Sequence, residues 1–232
     1  MTIFTDFDGT ITIRDTGSEL FHEVDELQSL QQSYVRHNIS AQDFWERVTH
    51  LSRPFSDDEL SKFFQQFEID PTFSAFADFC RERSLPLYVV SDGLDFYIHA
   101  IFAAKGIVDL PVFANAASLT DGRIGVSFPF LHEHCEGFSA NCKCSHVLGH
   151  SPDDQSIVYI GNGTSDCCPA EKSDIIFAKD RLARYCEEKN IPYHNFHSFT
   201  DVQQQLQKYL DRPRQYKRSA AEQKRRELWK GE

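Results

Sequence analysis

Four short, predominantly apolar runs mark the chain, at residues 3–7, 85–90, 157–160 and 174–178. Each gives way to a polar turn: Asp8-Gly9, Ser91-Asp92-Gly93, Gly161-Asn162-Gly163 and Lys179-Asp180. Runs with little polar alternation predict strands buried on both faces, as in a parallel sheet. Helical patterns lie between them, over 71–83, 95–104 and 181–189. Strands alternating with helices predict an α/β fold with a doubly wound, Rossmann-like parallel sheet. Ligands of such sheets collect at the carboxyl ends of the strands, where these polar turns fall.

Two stretches break the alternation. Residues 16–70 contain helical patterns, over 19–31 and 41–51 among them, and Ser56-Asp57-Asp58-Glu59 opens a further helix with acids in its first turn. This predicts a small helical cap inserted after the first strand. Around 112–130, Thr120-Asp121-Gly122-Arg123 separates two β-leaning runs and predicts a hairpin. The expected organisation is a core of residues 1–15 and 71–211, a cap of 16–70, and a tail of 212–232, an exposed basic helix or a frayed end.

Charge narrows the ligand. The chain has a formal net charge of -11, with 24 basic and 35 acidic side chains. The tail is basic, so the body is more acidic still, which disfavours nucleic acid as a partner. Mean hydropathy is -0.45, and no run approaches the length of a membrane span. Seven cysteines, two of them adjacent, with no secretion pattern at MTIFTDFDGT predict reduced thiols and a cytoplasmic location.

The strand ends carry the candidate chemistry. Asp6 and Asp8 lie on one side of the chain as it leaves the first strand. One carboxylate can attack an electrophile while the other trades a proton with the leaving group. Ser91 offers a hydroxyl and nearby backbone N–H groups at the start of the 95–104 helix, a phosphate cradle. Lys143 precedes a helical pattern, where it can neutralise a transferring phosphoryl group. Gly161-Asn162-Gly163-Thr164-Ser165-Asp166 supplies oxygen ligands that suit Mg²⁺. His132, His134, Cys135, Cys142 and Cys144 are close in sequence, but their spacing lacks the two-residue gap of a zinc knuckle. Cysteines beside a phosphate site are the expectation there.

In this order the four strand ends resemble the motifs of the haloacid dehalogenase superfamily of phosphotransferases, over most of the chain up to about residue 200. DFDGT matches the first motif, Ser91 the second, Lys143 the third and GNGTSD the fourth. The helical insertion is similar to the cap of the phosphoserine phosphatase-like branch. Within that branch, SDGLDF, the hairpin and the cysteine-rich stretch before Lys143 resemble methionine-salvage enol-phosphate phosphatases. Asp92 and Asp166-Cys167-Cys168-Pro169-Ala170 look more like phosphoethanolamine/phosphocholine phosphatases.

The resemblance implies catalytic roles for Asp6 as nucleophile, Asp8 as acid and base, and Lys143. It implies substrate binding by Thr10, Ser91 and Gly93, and Mg²⁺ held by Asp6, Asp8, Asn162 and Asp166. Asp15 and Asp92 would flank the leaving group, or else serve as a helix cap and a turn. The usual fourth motif begins Gly-Asp, whereas this chain has Gly161-Asn162, an amide in place of a carboxylate. The reading is a Mg²⁺-dependent phosphatase, monomer or homodimer, for a small phosphorylated metabolite. A weakly active or inactive relative that binds a phosphorylated ligand as a sensor or partner protein is the alternative.

Overall fold

The computed structural model describes residues 1–132, 139–212 and 214–228. Its sheet has seven strands in the order β4-β3-β2-β1-β5-β6-β7. These are β1 (Thr2–Thr5), β2 (Leu87–Leu94), β3 (Val112–Thr120), β4 (Arg123–Ser127), β5 (Ile157–Gly161), β6 (Ile175–Ala178) and β7 (His194–Asn195). All neighbours pair in parallel except β3 and β4. Central β1 sets Ile3 opposite Leu87 on one side and Val158 on the other. Its alternate residues bury in opposite directions: Ile3 in the larger apolar cluster, Phe4 in a second one with Val90, Tyr159 and Ile176. A strand covered on both faces needs the continuous apolar runs seen in the sequence.

Helices α1 (Thr16–Leu20), α2 (Leu27–Val35), α3 (Ala41–Leu51) and α4 (Asp57–Gln66) occupy the stretch between β1 and α5 (Phe73–Glu82). Ser40 and Asp43 form a reciprocal capping box on α3, and Ser56 accepts from Glu59 N–H at the start of α4. The single helix expected over 19–31 is instead α1 and α2, with the buried Phe21 and Val24 in the break. Phe21 packs edge-on against Trp45 and Phe55, so tertiary packing overrides the local periodicity. The chain enters and leaves the insertion side by side, through an antiparallel bridge of Thr12 to Ile69.

The hairpin turns at Asp121 and Gly122, whose φ angles of 50° and 74° suit the twist of a two-residue connection. Phe55 N–H donates to Gly122 O at 2.7 Å, tying the hairpin tip to the insertion. After β2 comes α6 (Asp95–Ala104); α7 (Lys143–Gly149), α8 (Cys167–Glu171), α9 (Asp180–Glu188) and α10 (Phe199–Leu210) complete the layers around the sheet.

The end of the chain departs from the exposed or frayed tail expected. Helix α11 (Ser219–Leu228) is docked on the body. Arg218 is buried and donates to the carbonyls of Ala170 (2.9 Å), Glu171 (2.7 Å) and Ser173 (2.8 Å). Its N–H donates to Asp174 Oδ1 at 3.0 Å, and Arg225 reaches the same carboxylate at 3.2 Å. The carbonyls left open at the end of α8 and a buried carboxylate explain why basic residues are held here. Among the described residues no helix is long and apolar enough to cross a membrane.

Candidate active site

The carboxyl ends of β1, β2 and β5 meet at one cavity of about 390 Å³, roofed by residues of α1, α2 and α3. Asp6, Asp8, Asp15, Ser91, Asp92, Gly93 and Asn162 line it. Asp6 follows β1 directly and its N–H donates to Ile160 O at 2.9 Å, which fixes it to the sheet edge. Lys143, the first residue of α7, is buried between two carboxylates, 2.6 Å from Asp6 Oδ1 and 2.7 Å from Asp166 Oδ1. Burial alone would lower its pKa; the Asp166 and Asp6 carboxylates outweigh this and hold it above its ordinary value. Burial, reinforced by Asp166, pushes the Asp6 pKa up, and Lys143 pulls it back.

Asp166 was expected to ligate metal, and its geometry assigns it another task. Oδ1 accepts from Lys143 and from Tyr159 O–H, both at 2.7 Å; Oδ2 accepts from the N–H groups of Asn162 (3.0 Å) and Gly163 (2.8 Å). Four donors engage both oxygens, so this carboxylate positions Lys143 and the turn after β5. Asn162 itself packs on the first motif: a Cβ on Gly9 would lie 2.4 Å from its Nδ2, and its Oδ1 accepts from Thr10 O–H at 3.2 Å. Gly9 has φ +71°, so glycine is needed here for both the turn and the close approach. The Thr10 hydroxyl also lies 3.4 Å from Asp6 Oδ2.

Asp8 sits over the cavity with both oxygens held. Thr16 N–H donates to Oδ1 and Tyr97 O–H to Oδ2, each at 2.8 Å. Burial, then the neighbouring Asp15 carboxylate, pushes its pKa up. Asp15 is the N-cap of α1, accepting from Ser18 N–H at 2.7 Å, while also lining the cavity. Ser91 Oγ accepts from Gly93 N–H at 3.0 Å.

Asp92, read as a substrate contact or a turn, lines the cavity and is also a junction. Its Oδ1 accepts from Ala140 N–H (2.9 Å) and Asn141 N–H (3.0 Å), and its Oδ2 from Tyr34 O–H of α2 (2.8 Å). Its backbone carbonyl takes Trp45 Nε1–H of α3 at 2.8 Å. The residue joins the second motif to the segment before Lys143 and to the cap, and its carboxylate has partners already.

Tyr97, Tyr159, Tyr34, Trp45 and Asn141 were missed by sequence reasoning. Aromatic residues within apolar helices and strands read as core, and only the polar ends of these rings betray another use. The expectation of reduced thiols also fails at one place: Cys144 and Cys168 are joined as a disulfide between α7 and α8. Of the soft-ligand group, Cys144 is therefore engaged, and His134 and Cys135 lie outside the described residues. Among the described residues no cluster of three His, Cys, Asp or Glu side chains could hold a metal ion.

Comparison with known proteins agrees with this layout. A 2-hydroxy-3-keto-5-methylthiopentenyl-1-phosphate phosphatase of Brevibacillus brevis is 28% identical over 211 residues, 89% of this chain and 95% of that protein. The bifunctional enzyme MtnB/MtnX of Bacillus licheniformis is 31% identical over 234 aligned positions, 97% of this chain and 53% of that longer protein. Among solved structures, a phosphoserine phosphatase bearing a phospho-aspartyl intermediate analogue superposes with a TM-score of 0.65. It is 16% identical over 88% of this chain and 97% of its own. A cytosolic 5'-nucleotidase IIIB bound to cytidine superposes with a TM-score of 0.59, at 17% identity over 99% of this chain and 87% of its own. These neighbours share the haloacid dehalogenase fold of the phosphoserine phosphatase-like branch. The family model described as Putative Phosphatase matches residues 1–206, and the chain belongs to that family of phosphatases.

Proposed function

We propose that the protein hydrolyses the phosphomonoester of a small metabolite through an aspartyl-phosphate on Asp6. The observation that carries this reading is the placement of Asp6, Asp8, Ser91 and Asn162 around one roofed cavity, with Lys143 behind Asp6. Asp6 Oδ2 attacks phosphorus, forming an O–P bond as the ester P–O bond breaks. Asp8 gives its proton to the departing oxygen, then takes one from the water that cleaves the acyl phosphate and releases inorganic phosphate. Ser91 Oγ and the N–H groups beside it hold the phosphoryl oxygens, and Lys143 offsets their charge.

The donor set fits a hard divalent cation, for which we assign Mg²⁺: the Asp6 carboxylate, the Asp8 backbone carbonyl and the Asn162 amide oxygen would hold it. Bound there, it would neutralise charge on the phosphoryl oxygens. Asn162 supplies no charge of its own, which is the one feature favouring a weakly active, ligand-sensing relative.

The cap narrows the leaving group. Tyr34, Phe44 and Trp45 form an aromatic wall of the cavity, with Gln31 and Ser18 as polar contacts. A thioether packs favourably against aromatic edges, and the keto and hydroxyl oxygens need donors. The substrate class we infer is therefore the methylthio-substituted, oxygenated pentenyl phosphate named for the Brevibacillus relative. Phosphate release from a panel containing that ester, phosphoethanolamine, phosphocholine and phosphoserine, with and without Mg²⁺, tests this. Preferential, Mg²⁺-dependent release from the methylthio ester is expected; preference for the amine-bearing esters would overturn the substrate class.

A further inference from the structure

Gly93, Tyr97 and Asp8 interlock in a way that the motif reading leaves unexplained. Tyr97, in the first turn of α6, is fully buried and lines the cavity, its ring among Phe7 and Phe96. Its hydroxyl reaches Asp8 Oδ2 at 2.8 Å past the one place where a side chain would block it. A Cβ on Gly93 would lie 1.9 Å from that hydroxyl and 2.6 Å from Asp8 Oδ2. Glycine at 93, within β2, therefore opens the contact.

On the phosphatase reading, we propose that Tyr97 is a positioning residue for proton transfer by Asp8. The Thr16 N–H fixes one carboxylate oxygen and the Tyr97 O–H the other, so the group cannot swing about its Cβ–Cγ bond. A carboxylate oxygen has two lone pairs. Each donor takes one, leaving a site on the cavity side for the proton that goes to the departing ester oxygen. Without the phenol, Oδ2 is free to rotate away or to recruit water, and the proton is delivered from a spread of geometries. Proton delivery matters most when the leaving oxygen is basic. A phenoxide carrying a nitro group departs with little help, whereas unsubstituted phenoxide needs protonation more.

The test is kcat/KM of wild type and Tyr97→Phe on 4-nitrophenyl phosphate and phenyl phosphate. A change that only loosens the fold slows both esters alike. The expected result is a loss on phenyl phosphate roughly tenfold greater than the loss on 4-nitrophenyl phosphate. Gly93→Ala should reproduce that imbalance, because its Cβ displaces the same hydroxyl. In an Asp8→Asn background Tyr97→Phe should leave the ratio of the two esters unchanged, since the group it positions is gone. Equal losses on both esters, or none, overturn the assignment of Tyr97 alone. Hydrolysis by the wild type of neither aryl ester nor any member of the panel above overturns the phosphatase reading, and this assignment with it.

Discussion

Asn141 donates from its side-chain nitrogen to the carbonyls of Ser91 and Phe113, both at 2.7 Å, so its amide oxygen must face the other way. There it meets His146 Nε2 at 2.7 Å, which requires that nitrogen to carry the proton. The ring is stacked on Phe113 and lies edge-on to Phe130. Burial, then the neighbouring His150, lowers the His146 pKa to about 4. The sign follows from linkage: between the unfolded value near 6.5 and the folded value, the unfolded chain holds the extra proton, so stability falls as pH drops through that window. This ring contributes an expected loss of about 1 kcal/mol between pH 7 and pH 5 once solvent screening discounts the shift. Urea unfolding at the two pH values should show the wild type losing that much stability relative to His146→Gln. The difference between the proteins isolates this ring from Asp6 and Asp8, whose raised pKa values act in the opposite direction.

The loops after β1 and β5 touch through Gly9 and Asn162, and the cation site proposed above lies between them. Asn162→Asp keeps the shape of that contact and adds a charge beside the cation, where charge-assisted contacts are about twice as strong as neutral ones. The Mg²⁺ concentration giving half-maximal phosphate release should fall by about tenfold, ~1.4 kcal/mol; an unchanged midpoint would place Asn162 outside the metal's contacts. The legible elements were those whose signal is local. The apolar runs of β1, β2, β5 and β6, the Ser56 cap and the Asp121-Gly122 turn each announce themselves within a few residues. Asp6, Asp8 and Asn162 were legible because they follow strands, whereas Ser91 lies within β2 and Lys143 opens α7. The break between α1 and α2 was not, because it depends on Phe21 finding Trp45 and Phe55. Nor were the uses of Asp92 and Asp166, whose partners Tyr34, Trp45, Asn141 and Lys143 lie far away along the chain, apart from those within the 161–166 turn.

Across the whole molecule, the basic end of the chain closes the fold on the side of α8, beyond the last residue of the family match at 206. Arg218 satisfies carbonyls at the end of the helix whose N-cap is Asp166, and Ser156, just before β5, donates N–H to Gln215 Oε1 at 3.0 Å. Net charge does not reveal this, because docking depends on where acceptors are left over. Arg218→Ala leaves the carbonyls of Ala170, Glu171 and Ser173 short of donors, while the backbone N–H to Asp174 survives, so it should destabilise the protein by about 3 kcal/mol. A shift in the urea midpoint of that size checks it, and a change within error would show the tail to be an ornament on the fold. The central claim concerns Asp6, and acid quench of the enzyme during turnover, followed by mass spectrometry of its tryptic peptides, tests it most directly. One phosphoryl group is expected on the peptide of residues 1–14 in the wild type and none in an inactive Asp6→Asn protein. A phosphoryl group on another peptide, or full turnover by Asp6→Asn, would contradict that claim.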